Sequence, residues 1–133
     1  MEDNARQKGL EIFAEIFGED MAQGLKAHME SDTAFGAMQS QWTVEFPFGS
    51  VWAREGLARK ARSCAVIGML IGLRAHDELV CHVKMGIRNG LSRRELEEIF
   101  YTAIPYAGFP AAQHAKKAML QAFAEIDAET QAV

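Results

Sequence analysis

Apolar residues recur at intervals of three and four along most of the chain, and this spacing is typical of amphipathic helices. The pattern predicts a first helix over residues 4–17, stopped by Gly18, with an apolar face of Leu10, Ile12, Phe13, Ile16 and Phe17. A weaker repeat, in which Met21, Leu25 and Met29 stand four apart, predicts a second helix over residues 19–30. Ser31 and Asp32 offer cap chemistry to a third segment, where one face carries Phe35, Met38 and Trp42.

The helical pattern stops at an aromatic segment, Phe46–Trp52, which contains Pro47 and Gly49. Proline and glycine this close together favour a loop. The segment carries three aromatic rings, and rings of that size are normally buried. We therefore predict a loop that docks against the rest of the protein.

Helical patterns resume over residues 58–73, which are apolar on every side after Ser63 and so predict a central helix of a bundle. Gly68 and Gly72 stand on one stripe of this helix, a spacing that favours close approach of a neighbouring helix. A helix over residues 77–88 should end at Asn89-Gly90. Beyond it, Ser92-Arg93-Arg94-Glu95 is a capping box.

The helix that follows the capping box meets Pro105, where it should kink or end because proline removes a backbone donor. A last helix is predicted over residues 111–129, and no alternating strand pattern or internal repeat is present. The fold class predicted is all-α, a compact bundle of about six to seven helices. With 133 residues, the chain is short for two cores of usual size, so residues 1–133 are predicted to form a single domain.

Composition and charge exclude several classes of function. The longest apolar run, Cys64–Leu73, is about half a membrane span, and the polar, acidic first residues lack the features of a secretion signal. These features predict a cytoplasmic protein that does not enter a membrane. A net charge of −4 without a basic block argues against nucleic acid as a partner. Since 49% of residues are hydrophobic in so short a chain, we expect a homo-oligomer.

His82 is the first candidate for chemistry. It borders the apolar stripe that includes Val83, and Gly86, four residues later, should leave room for a ligand beside it. An imidazole there suits a general acid or base, and Glu78, one turn earlier, would orient it and raise its pKa. The alternatives are a hydrogen-bonded core histidine and a solvated surface glutamate.

Other candidates stand near the breaks in the pattern. Arg54 follows the aromatic segment, and its guanidinium group could bind a carboxylate through two parallel hydrogen bonds. The alternative is a surface ion pair. Tyr106 beside Pro105 suits the wall of a cavity or a half-buried core position, and His114 is either a second polar group there or an exposed residue. The histidines and carboxylates have no spacing that predicts a metal site. The cysteines Cys64 and Cys81 do not form a Cys-x-x-Cys pair.

An ordered set of motifs over residues 45–118 resembles the carboxymuconolactone decarboxylase family. The motifs are Gly49–Leu57, Arg62-Ser63, Glu78-Leu79 with His82, Asn89–Ser92, Glu95–Glu98 and Tyr106–Ala112. The resemblance implies an all-helical subunit that assembles into a ring, commonly a trimer or hexamer. In the related alkylhydroperoxidase D-like proteins a Cys-x-x-Cys pair precedes the histidine. Here those positions, aligned on His82, are Ala75 and Glu78, so the redox pair is absent.

The resemblance implies a cofactor-free decarboxylase acting on a lactone or unsaturated diacid from the catabolism of aromatic compounds. Catalysis would rest on His82 as proton donor, Arg54 as carboxylate clamp and Glu78 beside the histidine. Substrate contacts would come from Trp52, Tyr106 and His114. Because Lys84, Pro105 and the pair Gln113-His114 depart from the family's usual residues, a related substrate rather than the namesake one is also compatible with the sequence.

Three other functions stay open at this point. A lactone or ester hydrolase, or an isomerase, could use the same His82 and Arg54 on a related ring-cleavage product. A thiol peroxidase or disulfide reductase would instead use Cys64 and Cys81. The third alternative is a binding or assembly module without catalysis.

Overall fold

The computed structural model describes residues 2–131, and these form helices without a β-strand. There are seven α-helices and one π-helix: α1 Glu2–Phe17, α2 Glu19–Glu30, α3 Ala37–Thr43, the π-helix Val44–Trp52, α4 Arg59–Leu73, α5 His76–Arg88, α6 Arg93–Ala107 and α7 Phe109–Gln131. The predicted all-α class is therefore confirmed. Contacts divide the chain into two compact units, one ending at Leu57 and the other beginning at Ala58. The single domain expected for residues 1–133 stays a prediction.

Most helix boundaries follow from local sequence signals. Gly18 and Gly108 end α1 and α6 with φ of 95°, a conformation that favours glycine. The capping box is confirmed at α6, where Ser92 Oγ accepts from the Glu95 N–H and Glu95 Oε1 accepts from the Ser92 N–H, each at 3.0 Å. Pro105 lies inside α6, and the helix ends only two residues beyond it.

In the first unit the predicted aromatic loop is wrong, because Phe46–Trp52 belongs to the π-helix. The prediction that the aromatic rings of this segment are buried holds for Phe48 and Trp52, whereas Phe46 is exposed. The Phe48 ring meets Phe13 of α1 edge to face, with centroids 5.2 Å apart. The backbone thus satisfies its hydrogen bonds in a widened helix while the buried rings pack on α1.

The contact between α1 and the π-helix depends on two glycines. A Cβ atom at Gly9 would overlap the carbonyl oxygen of Val44, and one at Gly49 would overlap the carbonyl oxygen of Ala5. Beside this crossing, the guanidinium of Arg6 on α1 donates to Glu45 Oε1 on the π-helix at 2.6 Å. The two backbones therefore approach more closely than any residue with a Cβ allows.

The predicted apolar face of α3 remains on the surface. Met38 and Trp42 on the helix, and Phe35 just before it, are all exposed. Ser31 does not cap α3 as predicted. Its hydroxyl instead accepts hydrogen bonds from the N–H groups of Thr33 and Ala34, in the turn before the helix.

In the second unit, α4, α5, α6 and α7 pack around an aliphatic core. Its fully buried members include Ile67, Ile71, Leu79, Val83 and Leu96. From α7 the core receives mainly small side chains at helical spacing, Ala111, Ala115, Ala118 and Ala122. These alanines let α7 lie close to its neighbours.

The prediction that α4 is a central helix, packed on every side by other helices, is wrong within this chain. Only Ser63, Ile67 and Ile71 of α4 are buried, whereas Met69 and Leu73 are exposed. A Cβ atom at Gly68 or Gly72 would meet no atom within 4 Å, so the expected close helix approach at this glycine stripe does not occur within the chain. The apolar residues of α4 instead form one core face and one open face.

None of the helices described has the length and apolar character needed to cross a bilayer.

Candidate functional site

His82 and Glu78 lie one turn apart on α5 and so project from the same face of the helix. His82 is half-buried and Glu78 is exposed. Burial lowers the pKa of the His82 imidazole, because it disfavours the charged form, and the negative charge of Glu78 opposes this only in part. The prediction that Glu78 raises the pKa of His82 is therefore confirmed for the effect of its charge, but the opposing effect of burial is larger and the net pKa is lowered.

Gly86 does not provide the room that the sequence predicts beside His82. A Cβ atom there would lie 2.9 Å from Leu91 Cδ1 and 3.2 Å from Ile67 Cδ1. The space of the missing side chain is thus filled by the apolar core, and Gly86 itself is buried. Its role at this point is to let α5 pack closely.

A cavity of about 470 Å³ lies between α4 and α6, and Tyr106 belongs to its wall. The lining is mainly apolar or small: Cys64, Gly68, Ile71, Gly72, Ile99, Thr102, Ala103, Tyr106 and Ala107. Tyr106 is 90% exposed, which contradicts a half-buried core position and agrees with a place at the mouth of a cavity. The size of the cavity is within the range of small-molecule sites.

Of the residues that line this cavity, the sequence predicted only Tyr106 for a cavity wall, and it did not predict that Cys64 and Thr102 also line it. The available signal is the spacing of Cys64, Gly68 and Gly72, which places small side chains four apart on one face of α4. That spacing predicts a helix contact as readily as the wall of an open space, and only the structure distinguishes the two.

The remaining predicted site residues are not assembled around His82 by any described contact. His114 is exposed on α7, and neither His82 nor Glu78 belongs to the wall of the α4–α6 cavity. Trp52 and Arg54 belong to the first unit, where Trp52 is buried at the end of the π-helix and Arg54 is exposed just after it. The structure thus brings together Glu78 and His82, and it places Tyr106 at a cavity.

The two cysteines are free thiols in different surroundings. Cys64 is half-buried in the wall of the α4–α6 cavity, and Cys81 is exposed on α5. Desolvation raises the pKa of the Cys81 thiol, and the charge of Glu78 adds to this while Lys84 opposes it. Because the thiolate is the nucleophilic form, the raised pKa disfavours thiol chemistry at Cys81. Across the part of the chain that the structure describes, no three His, Cys, Asp or Glu side chains are grouped so that they could share a metal ion.

The pKa of His82 gives a prediction that needs no substrate. In an NMR titration the His82 ring protons should change shift below about pH 6.5, the usual midpoint for histidine. Glu78→Gln should move this midpoint to still lower pH, since it removes the charge that favours the imidazolium. The matched variant Asp77→Asn, on the same helix, should move it less. A His82 midpoint above about 6.5 would contradict the lowering by burial.

Comparison with known proteins supplies the class to which this fold and site belong. The family model of the carboxymuconolactone decarboxylase family matches residues 40–121, which include the π-helix, α4, α5, α6 and the first half of α7. The chain belongs to the carboxymuconolactone decarboxylase family. The resemblance found in the sequence motifs is thereby confirmed.

Two relatives are named as decarboxylases. The 4-carboxymuconolactone decarboxylase of Acinetobacter baylyi is 32% identical over 127 residues, which cover 95% of this chain and 92% of that protein. The nitrosuccinic acid decarboxylase of Metarhizium robertsii is 30% identical over 104 residues, covering 78% of this chain and 71% of that protein. Homologues at about this level of identity are thus named for the decarboxylation of two different acids.

Proposed function

We propose that this protein is a cofactor-free carboxy-lyase that acts on a carboxymuconolactone-like lactone or an unsaturated diacid in the catabolism of aromatic compounds. The observation that carries the proposal is the half-buried imidazole of His82 with the Glu78 carboxylate one turn away, in a family whose relatives are named as decarboxylases. Such an imidazole can change its charge near neutral pH when a charged substrate binds.

The reaction requires little from the protein beyond positioning and proton transfer. The bond between the ring carbon and the departing carboxylate breaks, and its electron pair moves into the conjugated lactone carbonyl. Carbon dioxide leaves, an enolate forms, and a proton then adds to carbon. The protein must hold the retained carboxylate, stabilise the enolate oxygen and deliver the proton.

His82 is the group that we assign to the enolate and the proton. A bound dianion places negative charge beside the imidazole and raises its pKa, so protonation of His82 is coupled to substrate binding. The imidazolium then stabilises the enolate and donates its proton to carbon, and solvent returns a proton to His82 afterwards. Glu78 supports the charged form through its own charge.

The other site residues have supporting roles in this proposal. Arg54 holds the carboxylate that the substrate retains, and Trp52 forms an apolar wall that excludes water. Tyr106 and His114 contact the substrate. Arg54 is exposed, and the acidic net charge of the protein makes a local cation necessary for attracting an anionic substrate.

The test is an assay of purified protein with 4-carboxymuconolactone, and separately with nitrosuccinate. A carboxy-lyase of the proposed class should consume the lactone, with release of one carbon dioxide per molecule and loss of its ultraviolet absorbance, whereas consumption of nitrosuccinate alone would contradict the proposed substrate class. A hydrolase or isomerase would change the lactone without releasing carbon dioxide. Peroxide consumption that Cys64→Ser and Cys81→Ser each remove would instead favour a thiol peroxidase. No turnover of either acid would contradict the proposal.

We also propose that the protein works as a homo-oligomer, a trimer or hexamer. Large apolar side chains are exposed in both units, among them Phe35 and Trp42 in the first and Leu73, Tyr106 and Phe109 in the second. A monomer seldom leaves so many uncovered, and other copies of the chain would bury them. Light scattering should give a mass three or six times 14.7 kDa. A mass of one subunit would contradict the proposal.

A further inference from the structure

A second cavity, of about 610 Å³, lies between α6 and α7 and is separate in its lining residues from the α4–α6 cavity. We call it the α6–α7 groove. From α6 it receives Arg93, Arg94, Glu97, Phe100 and Tyr101, and from α7 Lys116, Met119, Leu120 and Phe123. On each helix these positions recur at three- and four-residue spacing, so both helices turn one continuous stripe toward the groove.

The groove combines an apolar floor with cations. Phe100 and Phe123 are partly buried against the core, and Leu120 is exposed. Three cations and one carboxylate line the groove, which gives it a net positive charge in a protein whose overall charge is −4. Such a combination suits a ligand with an apolar body and a negative group.

The charges in the groove are not all compensated. Arg93 donates to Asp127 Oδ1 at 2.6 Å and lies over the Phe123 ring, 4.7 Å from its centroid. Among the described side chains, by contrast, no carboxylate forms an ion pair with Arg94 or Lys116. Interaction with the Glu97 carboxylate raises the pKa of the Tyr101 hydroxyl. Two cations beside an aromatic floor are therefore available to an anion.

The position of Arg94 strengthens this interpretation. It lies in the first turn of α6, where the helix dipole is positive and disfavours a cation. Arg93, in the same turn, is stabilised by Asp127, whereas no described carboxylate forms such an ion pair with Arg94. A ligand carboxylate at this end of α6 would offset both the dipole and the charge of Arg94.

We propose that the α6–α7 groove binds an organic carboxylate with a flat apolar body. The carboxylate lies between Arg94 and Lys116, and the body lies on Phe100, Leu120 and Phe123. This site is independent of the proposed reaction at His82, so it stands or fails separately from the decarboxylase proposal.

The probe is 2-naphthoate, measured by isothermal titration calorimetry, with the uncharged 2-naphthamide as its isostere. Wild-type protein should bind naphthoate at least tenfold more tightly than naphthamide. The double variant Arg94→Gln, Lys116→Gln should lose at least tenfold in naphthoate affinity and should not distinguish the two probes. Lys117→Gln, a neighbouring lysine outside the groove, should behave as wild type.

Two further variants locate the binding. Leu120→Gln should weaken both probes, because it removes apolar contact at an exposed position without disturbing the core. His82→Ala should bind naphthoate as wild type does. Equal affinity of the double variant and wild type for naphthoate would overturn the proposal. The proposal would also be overturned if the double variant kept its naphthoate affinity but changed the number of subunits measured by light scattering. The groove would then be an interface between copies of the chain.

Discussion

Replacement of His82 by glutamine should lower kcat for decarboxylation at least a hundredfold, because general acid catalysis contributes about 10² to 10⁴ in rate. Glutamine retains hydrogen-bonding ability but cannot deliver a proton near neutral pH. KM should change less than kcat, since the substrate carboxylate is held by Arg54 in this mechanism. The measurement is release of carbon dioxide from the accepted substrate under saturating conditions.

The same assignment fixes the sign of the pH dependence. Burial lowers the pKa of His82 in the free protein, so the imidazolium becomes scarce above about pH 6.5. kcat/KM should therefore fall as pH rises through that pKa, whereas kcat should fall only at higher pH because bound dianion raises the pKa. The residual activity of His82→Gln should lack this dependence.

A matched control comes from the same helix. His76 at the start of α5 contacts Gln121 on α7, with His76 Nε2 2.9 Å from Gln121 Oε1, and has no part in the proposed chemistry. His76→Gln should keep the wild-type rate. Circular dichroism should give the same helix content for both variants. Full activity in His82→Gln would remove His82 from the mechanism.

Replacement of Gly49 by alanine should destabilise the first unit by about 1 to 3 kcal/mol, the usual cost of forcing an extra carbon into a packed site. The new Cβ would overlap the carbonyl oxygen of Ala5, and only movement of α1 away from the π-helix would relieve the clash. Both tryptophans of the chain, Trp42 and Trp52, lie in this unit. Tryptophan fluorescence during urea unfolding therefore follows the unit that the substitution affects.

Gly9→Ala should act in the same direction, because its Cβ would overlap the carbonyl oxygen of Val44. Gly24 is the control, since it lies inside α2 and a Cβ atom added to it would meet no atom within 4 Å. Gly24→Ala should stabilise the protein by up to about 1 kcal/mol through helix propensity. If Gly49→Ala and Gly24→Ala unfold at the same urea concentration, the close approach of α1 and the π-helix does not limit stability.

Helix positions and several helix ends are predictable from local chemistry. The pattern predicts a helix over residues 19–30, and α2 has the same bounds. The stop at Gly18 and the capping box at Ser92 are also confirmed. These signals involve residues that lie within a few positions of one another, so their effect does not depend on what packs nearby.

The site is predictable only as a set of residues. The pair Glu78 and His82 shares a face of α5 because helix geometry alone requires it. The pKa of His82, however, depends on how much of the imidazole other helices cover, and the charge of Glu78 in the sequence indicates the opposite shift. The space expected at Gly86 is likewise taken up by Leu91 and Ile67, which come from other parts of the second unit.

The sequence by itself therefore determined the all-helical class, the family and most helix boundaries, and it supplied the residues that we propose for catalysis. Only the tertiary structure decided that the segment with Pro47 is a π-helix, that Gly68 and Gly72 face open space, and that α6 and α7 enclose a cationic groove. The physical reason is the range of the interactions. Capping and helical periodicity act between residues a turn or two apart, whereas burial, close backbone approach and uncompensated charge depend on residues brought together by packing.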